Sequence, residues 1–454
     1  MGKKIIIVGG GPAGYVSAIR GAQLGAEVHL IEKSSLGGTC LNVGCIPTKV
    51  LLHASDFYHK ARTAAVPGVN TTAELDWPAV LAHKEQVVNR LTGGVSWLLE
   101  KAKVQVHSGF ARVLPGLRVQ VGGDTLSADA IILATGSANT AIPFHGSDLE
   151  GILDSTAALA LRELPKSVAI IGGGVIGVEF ATLFTQLGVE TTVVEMQPEV
   201  LPTVDGEIAA LLRQKLTGDG VRIYTSASLT GVEKGEGKLS VQLDQGGQGL
   251  SIQAEKVLVA VGRRPNTAGM GLEELGVAMD RGAILVDAHY QTSIAGLYAV
   301  GDCNAKLMLA HAAMEQGLAA IGHSMGLHAE GRQSPIPSCV YTSPEIASVG
   351  LTEEQVKEKG LPYTTGRFPL GGNGKAIIEG EDGLIKILTD KEYGEILGVH
   401  MIGPKVTEMI AEAALCMDME GTVDDLIHAV HAHPTVSEAL GEAAMAVLGK
   451  GIHS

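Results

Sequence analysis

Aromatic side chains make up only 4% of this 454-residue chain, cysteine occurs five times, and long apolar runs are missing. Each scarcity excludes something. No stretch approaches the ~20 apolar residues that a helix needs to cross a bilayer, so no membrane role is expected. Lys3-Lys4 is followed by only four aliphatic residues before the first glycines, too few for a secretory signal, and a cytoplasmic location is expected. Cations are outnumbered, 34 Lys and Arg against 49 Asp and Glu, for a formal charge of -15. A nucleic-acid or anionic-membrane surface needs clustered Lys and Arg to release counterions, and that partner class is excluded too. An odd number of cysteines with one close pair fits a reducing compartment, where a disulfide is catalytic and not structural. Cys303, Cys339 and Cys416 are expected to be buried bystanders.

Glycine is abundant instead, 60 residues of 454, nearly twice the usual share of about 7%. The first cluster explains part of that excess. Lys4-Ile5-Ile6-Ile7-Val8 reads as a buried parallel strand running into Gly9-Gly10-Gly11-Pro12-Ala13-Gly14, in which Gly9, Gly11 and Gly14 fit G-x-G-x-x-G. Such glycines allow a tight turn, a close backbone approach to a pyrophosphate and packing of the next helix on the sheet. A second strand, Glu27 to Ile31, ends at Glu32-Lys33, the spacing at which an acid accepts from a ribose hydroxyl. The unit then repeats. Ser167 to Glu195 carries Gly172, Gly174, Val175, Ile176 and Gly177 in the corresponding places, Gln23-Leu24-Gly25 recurs as Gln186-Leu187-Gly188, and Glu195 takes the place of Glu32. One duplicated βαβ unit at this separation reads as two dinucleotide sites in two domains of one architecture.

Between the two units, Gly37-Gly38-Thr39-Cys40-Leu41-Asn42-Val43-Gly44-Cys45-Ile46-Pro47-Thr48-Lys49 holds the close cysteine pair. On an ideal helix, residues five apart are separated by ~7.5 Å of rise and by about 140° of rotation, which misses the approach a disulfide needs. The segment is expected to bend, with Gly44 and Pro47 loosening the helix.

Further short pieces lie in order along the chain: Ala134-Thr135-Gly136, Gly262-Arg263-Arg264-Pro265-Asn266, Ala299-Val300-Gly301-Asp302, Met308-Leu309-Ala310-His311 and His431-Ala432-His433-Pro434-Thr435-Val436-Ser437-Glu438. Together with Gly37 to Lys49 they resemble the class I pyridine nucleotide-disulfide oxidoreductases from end to end. That resemblance implies an α/β fold with two Rossmann-like dinucleotide-binding domains, for FAD and NAD, and a C-terminal α+β interface domain. The expected boundaries are 1–143 (FAD), 144–266 (NAD), 267–336 (a central segment completing the FAD site) and 337–454 (dimerisation). From Ser334 onward the pattern is read as alternating strands, such as Leu384 to Leu388, and then helices from Lys405.

The resemblance also implies roles. Cys45 is the thiol that touches the flavin and Cys40 the outer thiol that exchanges with substrate, while His433 is the base and Glu438 the acid that orients it. Thr435 to Glu438 also reads as a capping box opening the last helix, and the two roles of Glu438 are expected to compete. The implied cofactor contacts are the glycine motifs, Glu32, Lys33, Gly38, Thr39, Ala111, Thr135, Gly136, Gly262, Arg263, Met308, Leu309 and Ala310. Asp302 is to meet the ribityl chain, Lys49 and Glu179 are to pair beside the flavin on its nicotinamide side, and Glu195 is to hold the ribose of NAD. His431 is read as structural. Grouping His428, His431 and His433 as a metal site is disfavoured, because zinc sites usually show helical pairing or cysteine partners.

The family branch that fits oxidises a protein-bound dihydrolipoyl group with NAD, serving 2-oxo acid dehydrogenase or glycine cleavage systems, and works as a homodimer whose base reaches the other subunit's disulfide. The chain departs from the family after His311, where Ala312 to Gly317 replaces a charged stretch, and the final residues carry no cysteine pair of the mercuric or large thioredoxin reductase kind. Two alternatives stay open: an NAD(P)H-dependent reductase of another small disulfide, and a non-catalytic flavoprotein scaffold.

Overall fold

The computed structural model describes residues 2–63, 66–327 and 334–453. Residues 328–333, inside the expected central segment, lie outside the described residues. The chain forms two compact units, one of residues 1–50, 78–141 and 262–333, the other of residues 51–77, 142–261 and 334–454.

The first unit is built on β1 (Lys4–Val8), which pairs in parallel with β2 (Glu27–Glu32) on one side and Ala130–Leu133 on the other. Leu297–Ala299 and Gln105–Ser108 complete a five-stranded parallel sheet at its two edges. Ile5, Ile6 and Ile7 are fully buried because both faces of the sheet are covered, as a continuous aliphatic run requires. Ile5 and Ile7 pack with α1 (Pro12–Gln23) and the helix Ala310–Ser324, while Ile6 and Val8 pack toward Val113, Val119 and Val121 of an antiparallel three-stranded sheet.

The second unit repeats the plan around Ser167–Ile171, which pairs in parallel with Glu190–Val194 and Lys256–Val259. It also holds a five-stranded antiparallel sheet in which Leu384–Asp390 and Ile396–Gly403 are central, covered by the helices Val406–Asp418 and Glu438–Val447.

The strand at Leu384 departs from the expected alternation, since every residue from Leu384 to Thr389 is buried. Lys386, 1% exposed, tolerates this because its ammonium meets Asp205 at 2.9 Å, Glu207 at 3.0 Å and Glu353 at 2.7 Å. The cysteine expectation is corrected in part as well: Cys303 is buried, but Cys339 and Cys416 are only partly so. Among the described residues no helix is long and apolar enough to cross a membrane.

Candidate active site

The bend between the thiols falls at Gly44. Helix α2 (Gly38–Val43) stops there and α3 (Cys45–Arg62) starts one residue later. Gly44 adopts φ -142° and ψ -113°, and a Cβ on it would come within 2.9 Å of the Thr39 carbonyl. The Gly44 carbonyl is recaptured by the Thr48 hydroxyl at 2.6 Å. Pro47 does not break anything: it occupies the first turn of α3, where its missing N–H leaves no gap.

Across this break the Cys40 and Cys45 side chains hydrogen-bond as free thiols. The Cys45 sulfur and burial together push the Cys40 thiol well above its ordinary range, while the Lys49 ammonium pulls the other way. Tyr15 of α1 belongs to the same cluster; burial and neighbouring Cys40 raise its phenol. No motif marked that tyrosine in the sequence.

The glycine cradle next to the thiols is tight. Gly9 has φ +106°, and a Cβ on Gly14 would run into the Gly9 carbonyl. Gly38, at φ +58°, leaves room for a Cβ only by displacing Gly11, so the starts of α1 and α2 meet backbone to backbone. The N-cap of α1, Gly11, makes no side-chain cap, which leaves first-turn amides for an anion. Glu32 is locked by Gly10 N–H on Oε2 at 2.6 Å and by Ser34 on Oε1, through its N–H at 2.7 Å and its hydroxyl at 3.1 Å, with a lone pair to spare on Oε2. Lys33 and Thr39 are exposed, Ala111 is buried on its strand, Thr135, Gly136, Met308 and Ala310 are half-buried, and Leu309 caps the helix that follows.

Asp302 sits on a single 3-10 turn behind Leu297–Ala299 and accepts from the Ser137 hydroxyl. Arg263 reaches the same hydroxyl with Nε at 2.8 Å, and its Nη atoms reach the Ser137 carbonyl and Asn139 Oδ1, each at 2.8 Å. This relay joins Ser137–Asn139 to Arg263–Pro265, which are antiparallel partners following Gly262. Ser137 carries no motif signature, and sequence reasoning missed it.

In the second unit Gly172, Gly174 and Gly177 reproduce the first cradle: Gly172 has φ +107°, Gly174 caps Val175–Gln186 without a side-chain bond, and the space beside Gly174 is open. Ile176 lies in the first turn of that helix. Glu195 is held as Glu32 is, by Gly173 N–H at 2.6 Å and Gln197 N–H at 2.7 Å. Glu179, 3% exposed, accepts from Tyr341 N–H at 3.0 Å.

His433, with 81% of its side chain exposed, donates from Nδ1 to Glu438 Oε1 at 2.9 Å. Carboxylate oxygens only accept, so Nδ1 carries the proton and Nε2 is the free acceptor. The competing roles expected for Glu438 coexist, because its other oxygen accepts from Thr435 N–H at 2.8 Å. The capping box is only half formed: the helix starts at Glu438 itself, and the Thr435 hydroxyl turns back to Ala432 O at 2.7 Å. The Thr435 amide and then His433 hold the Glu438 carboxyl below its usual range. Among the described residues no group of three or more His, Cys, Asp or Glu is arranged to hold a metal ion. Cys40 and Cys45 belong to the first unit, His433 and Glu438 to the second.

Residues 3–317 match the pyridine nucleotide-disulphide oxidoreductase family and residues 336–444 its dimerisation domain. The chain belongs to that family: it is a flavoprotein disulfide oxidoreductase whose cofactors are FAD and NAD. Among curated relatives, a dihydrolipoyl dehydrogenase of Thermus scotoductus is 45% identical over 99% of this chain and 98% of its own length. The mitochondrial dihydrolipoyl dehydrogenase 2 of Arabidopsis thaliana is 43% identical over 99% of this chain and 91% of its own. Among solved structures, LpdA from Mycobacterium tuberculosis superposes with a TM-score of 0.90 at 29% identity, covering 97% of this chain and 99% of that one.

Proposed function

We propose that this enzyme oxidises protein-bound dihydrolipoamide to lipoamide with NAD as acceptor, as a homodimer, using Cys40, Cys45, His433 and Glu438. The observation that carries the reading is the Cys40–Cys45 hydrogen bond across the Gly44 break, beside a glycine cradle shaped for a dinucleotide. Dihydrolipoyl dehydrogenases among the relatives support the substrate.

The thiol chemistry follows from these side chains. In the oxidised enzyme a substrate thiolate attacks Cys40 Sγ, the Cys40–Cys45 bond breaks, and Cys45 leaves as a thiolate. The second substrate thiol then attacks the substrate sulfur of the mixed disulfide and expels Cys40. The substrate ends as a disulfide and the enzyme as a dithiol. Thiolates, not thiols, make these attacks, so a base is needed, and Nε2 of His433 is the free acceptor for the proton. Glu438 keeps Nδ1–H fixed and stabilises the imidazolium that forms. Such help is worth roughly 10²- to 10⁴-fold.

FAD fits the first cradle, with Gly9, Gly11, Gly14 and the α1 amides at its pyrophosphate, Glu32 at a ribose and Asp302 at the ribityl chain; bound there, it supplies the carrier between dithiol and NAD. NAD suits the second cradle, where Glu195 disfavours the 2'-phosphate of NADP.

The test sets steady-state oxidation of dihydrolipoamide with NAD beside NADPH-driven reduction of glutathione disulfide. Turnover of the first pair far above the second is expected. The reverse order would transfer the enzyme to the small-disulfide reductases.

A further inference from the structure

The base-bearing loop runs from Ala429 to Ser437, between the helices Val423–His428 and Glu438–Val447. Within the single chain Val430 is 99% exposed and the His433 side chain 81%. Its buried apolar anchor is Val436, 4% exposed and packed in the core, three residues past His433, whereas a general base must be held to within a fraction of an ångström. Two polar anchors flank His433. On its C-terminal side the Thr435 carbonyl accepts from Asn373 Nδ2 at 3.0 Å, and Asn373 is buried and itself fixed by accepting from Ala376 N–H at 2.9 Å. On its N-terminal side, His431 turns inward, only 11% exposed, and its Nε2 meets Glu412 Oε1 at 2.8 Å. Its ring lies over Gly441, where a Cβ would stand 3.6 Å away.

His431 and His433 are thus two imidazoles with opposite duties. Glu412 stands on the helix Val406–Asp418, whose Val406, Met409, Ile410 and Ala413 are in the core beneath the antiparallel sheet. Gly441 stands on the helix that begins with Glu438. The inward ring therefore ties the loop at once to a core helix and to the helix carrying the acid partner of the base.

We infer that the Glu412–His431 hydrogen bond, seated on Gly441, is the anchor that positions His433 for proton transfer, making His431 and Glu412 positioning residues of the dithiol half-reaction. The inference rests on the function proposed above. A mispositioned base costs about 10²-fold per ångström, whereas reduction of an acceptor that takes electrons from the NADH-reduced enzyme without thiol exchange needs no base at all.

The experiment compares two assays on the FAD-containing full-length enzyme: dihydrolipoamide with NAD, and NADH with a quinone. His431→Leu and Glu412→Leu should each lower kcat for dihydrolipoamide by about 10- to 100-fold, with KM within twofold and quinone reduction unchanged. His431→Gln, which retains a donor for Glu412, should recover to within about threefold of wild type, and the double leucine variant should be no worse than either single one, as members of one pair behave. Wild-type kcat in His431→Leu, or equal losses in both assays, would overturn the positioning role. His433→Ala serves as the separate control: if it keeps full dihydrolipoamide turnover, the assignment of the base itself is wrong.

Discussion

Glu438 holds His433 through one carboxylate oxygen, at 2.9 Å, and spends the other on the Thr435 amide. The imidazole is thereby fixed in rotation and in tautomer by a group that is itself fixed. The depressed Glu438 carboxyl stays ionised below the usual carboxylate range, so the acid limb of kcat should not report this acid. Glu438→Gln preserves a carbonyl for Nδ1–H but removes the charge that stabilises the imidazolium. Dihydrolipoamide turnover should fall by about 10²-fold, measured as kcat at saturating substrate, while thermal unfolding stays near wild type.

The two thiols are not equivalent under the proposed roles. If Cys45 is the thiol against the flavin, two-electron reduction of the FAD-containing enzyme should give a long-wavelength absorbance band that persists in Cys40→Ser and is lost in Cys45→Ser. Both variants should lose dihydrolipoamide turnover. Equal bands in the two spectra would reverse or remove the assignment.

Glu195 sets the expected preference for NAD. Its oxygens are pinned by Gly173 and Gln197 amides, so the negative charge cannot swing away from a 2'-phosphate. kcat/KM should favour NAD over NADP clearly in the wild type, and Glu195→Arg should narrow the gap. A wild type that already prefers NADP would defeat the argument.

Much of this site was legible before the structure because its signals are local. G-x-G-x-x-G, the acid at the end of the next strand and the repeat of both units are short patterns with one backbone solution each, and Gly44 marked the bend because only a residue without Cβ can approach the Thr39 carbonyl so closely. Long-range partners left no such trace. Ser137 meets Arg263 and Asp302 from 126 and 165 residues away, and His431 finds Glu412 on another helix. The burial of Lys386 left no local trace either, because the Asp205 that pairs with it lies 181 residues earlier.

That buried lysine has a pH signature. Burial works against ionisation of Asp205 and Glu353, but hydrogen bonds outweigh it, from Lys386 at Asp205 and from Lys357, Lys386 and Tyr363 at Glu353: Asp205 is lowered and Glu353 lies at about 2. Carboxylates depressed in the folded state stabilise it fully above their unfolded values near 4, and the contribution is lost as pH falls through the folded ones. Lys386, raised against burial by the same carboxylates, contributes below its unfolded value near 10.4 and loses that only as pH climbs past its folded value. Lys386→Met should cost about 3–5 kcal/mol at neutral pH by stranding Asp205, and the deficit should shrink between about pH 5 and 2 as the carboxylates protonate. Denaturant melts across that range check both claims; a deficit independent of pH would assign the loss to packing.

The last expectation concerns where the base acts. The thiols belong to one compact unit and His433 to the other, and residues 336–444 match a dimerisation domain. In an isologous dimer the same two surfaces meet twice, so each site can draw its thiols from one chain and its base from the partner. An inactive Cys45→Ser chain mixed with an inactive His433→Ala chain, once subunits exchange, should regain activity, because each heterodimer combines intact thiols from one chain with an intact base from the other at one of its two sites. Recovery should track the heterodimer fraction, near half the wild-type rate per heterodimer. If exchange is confirmed by mass spectrometry and no activity returns, or if the wild type is fully active as a monomer in sedimentation at assay concentration, each chain must supply its own base.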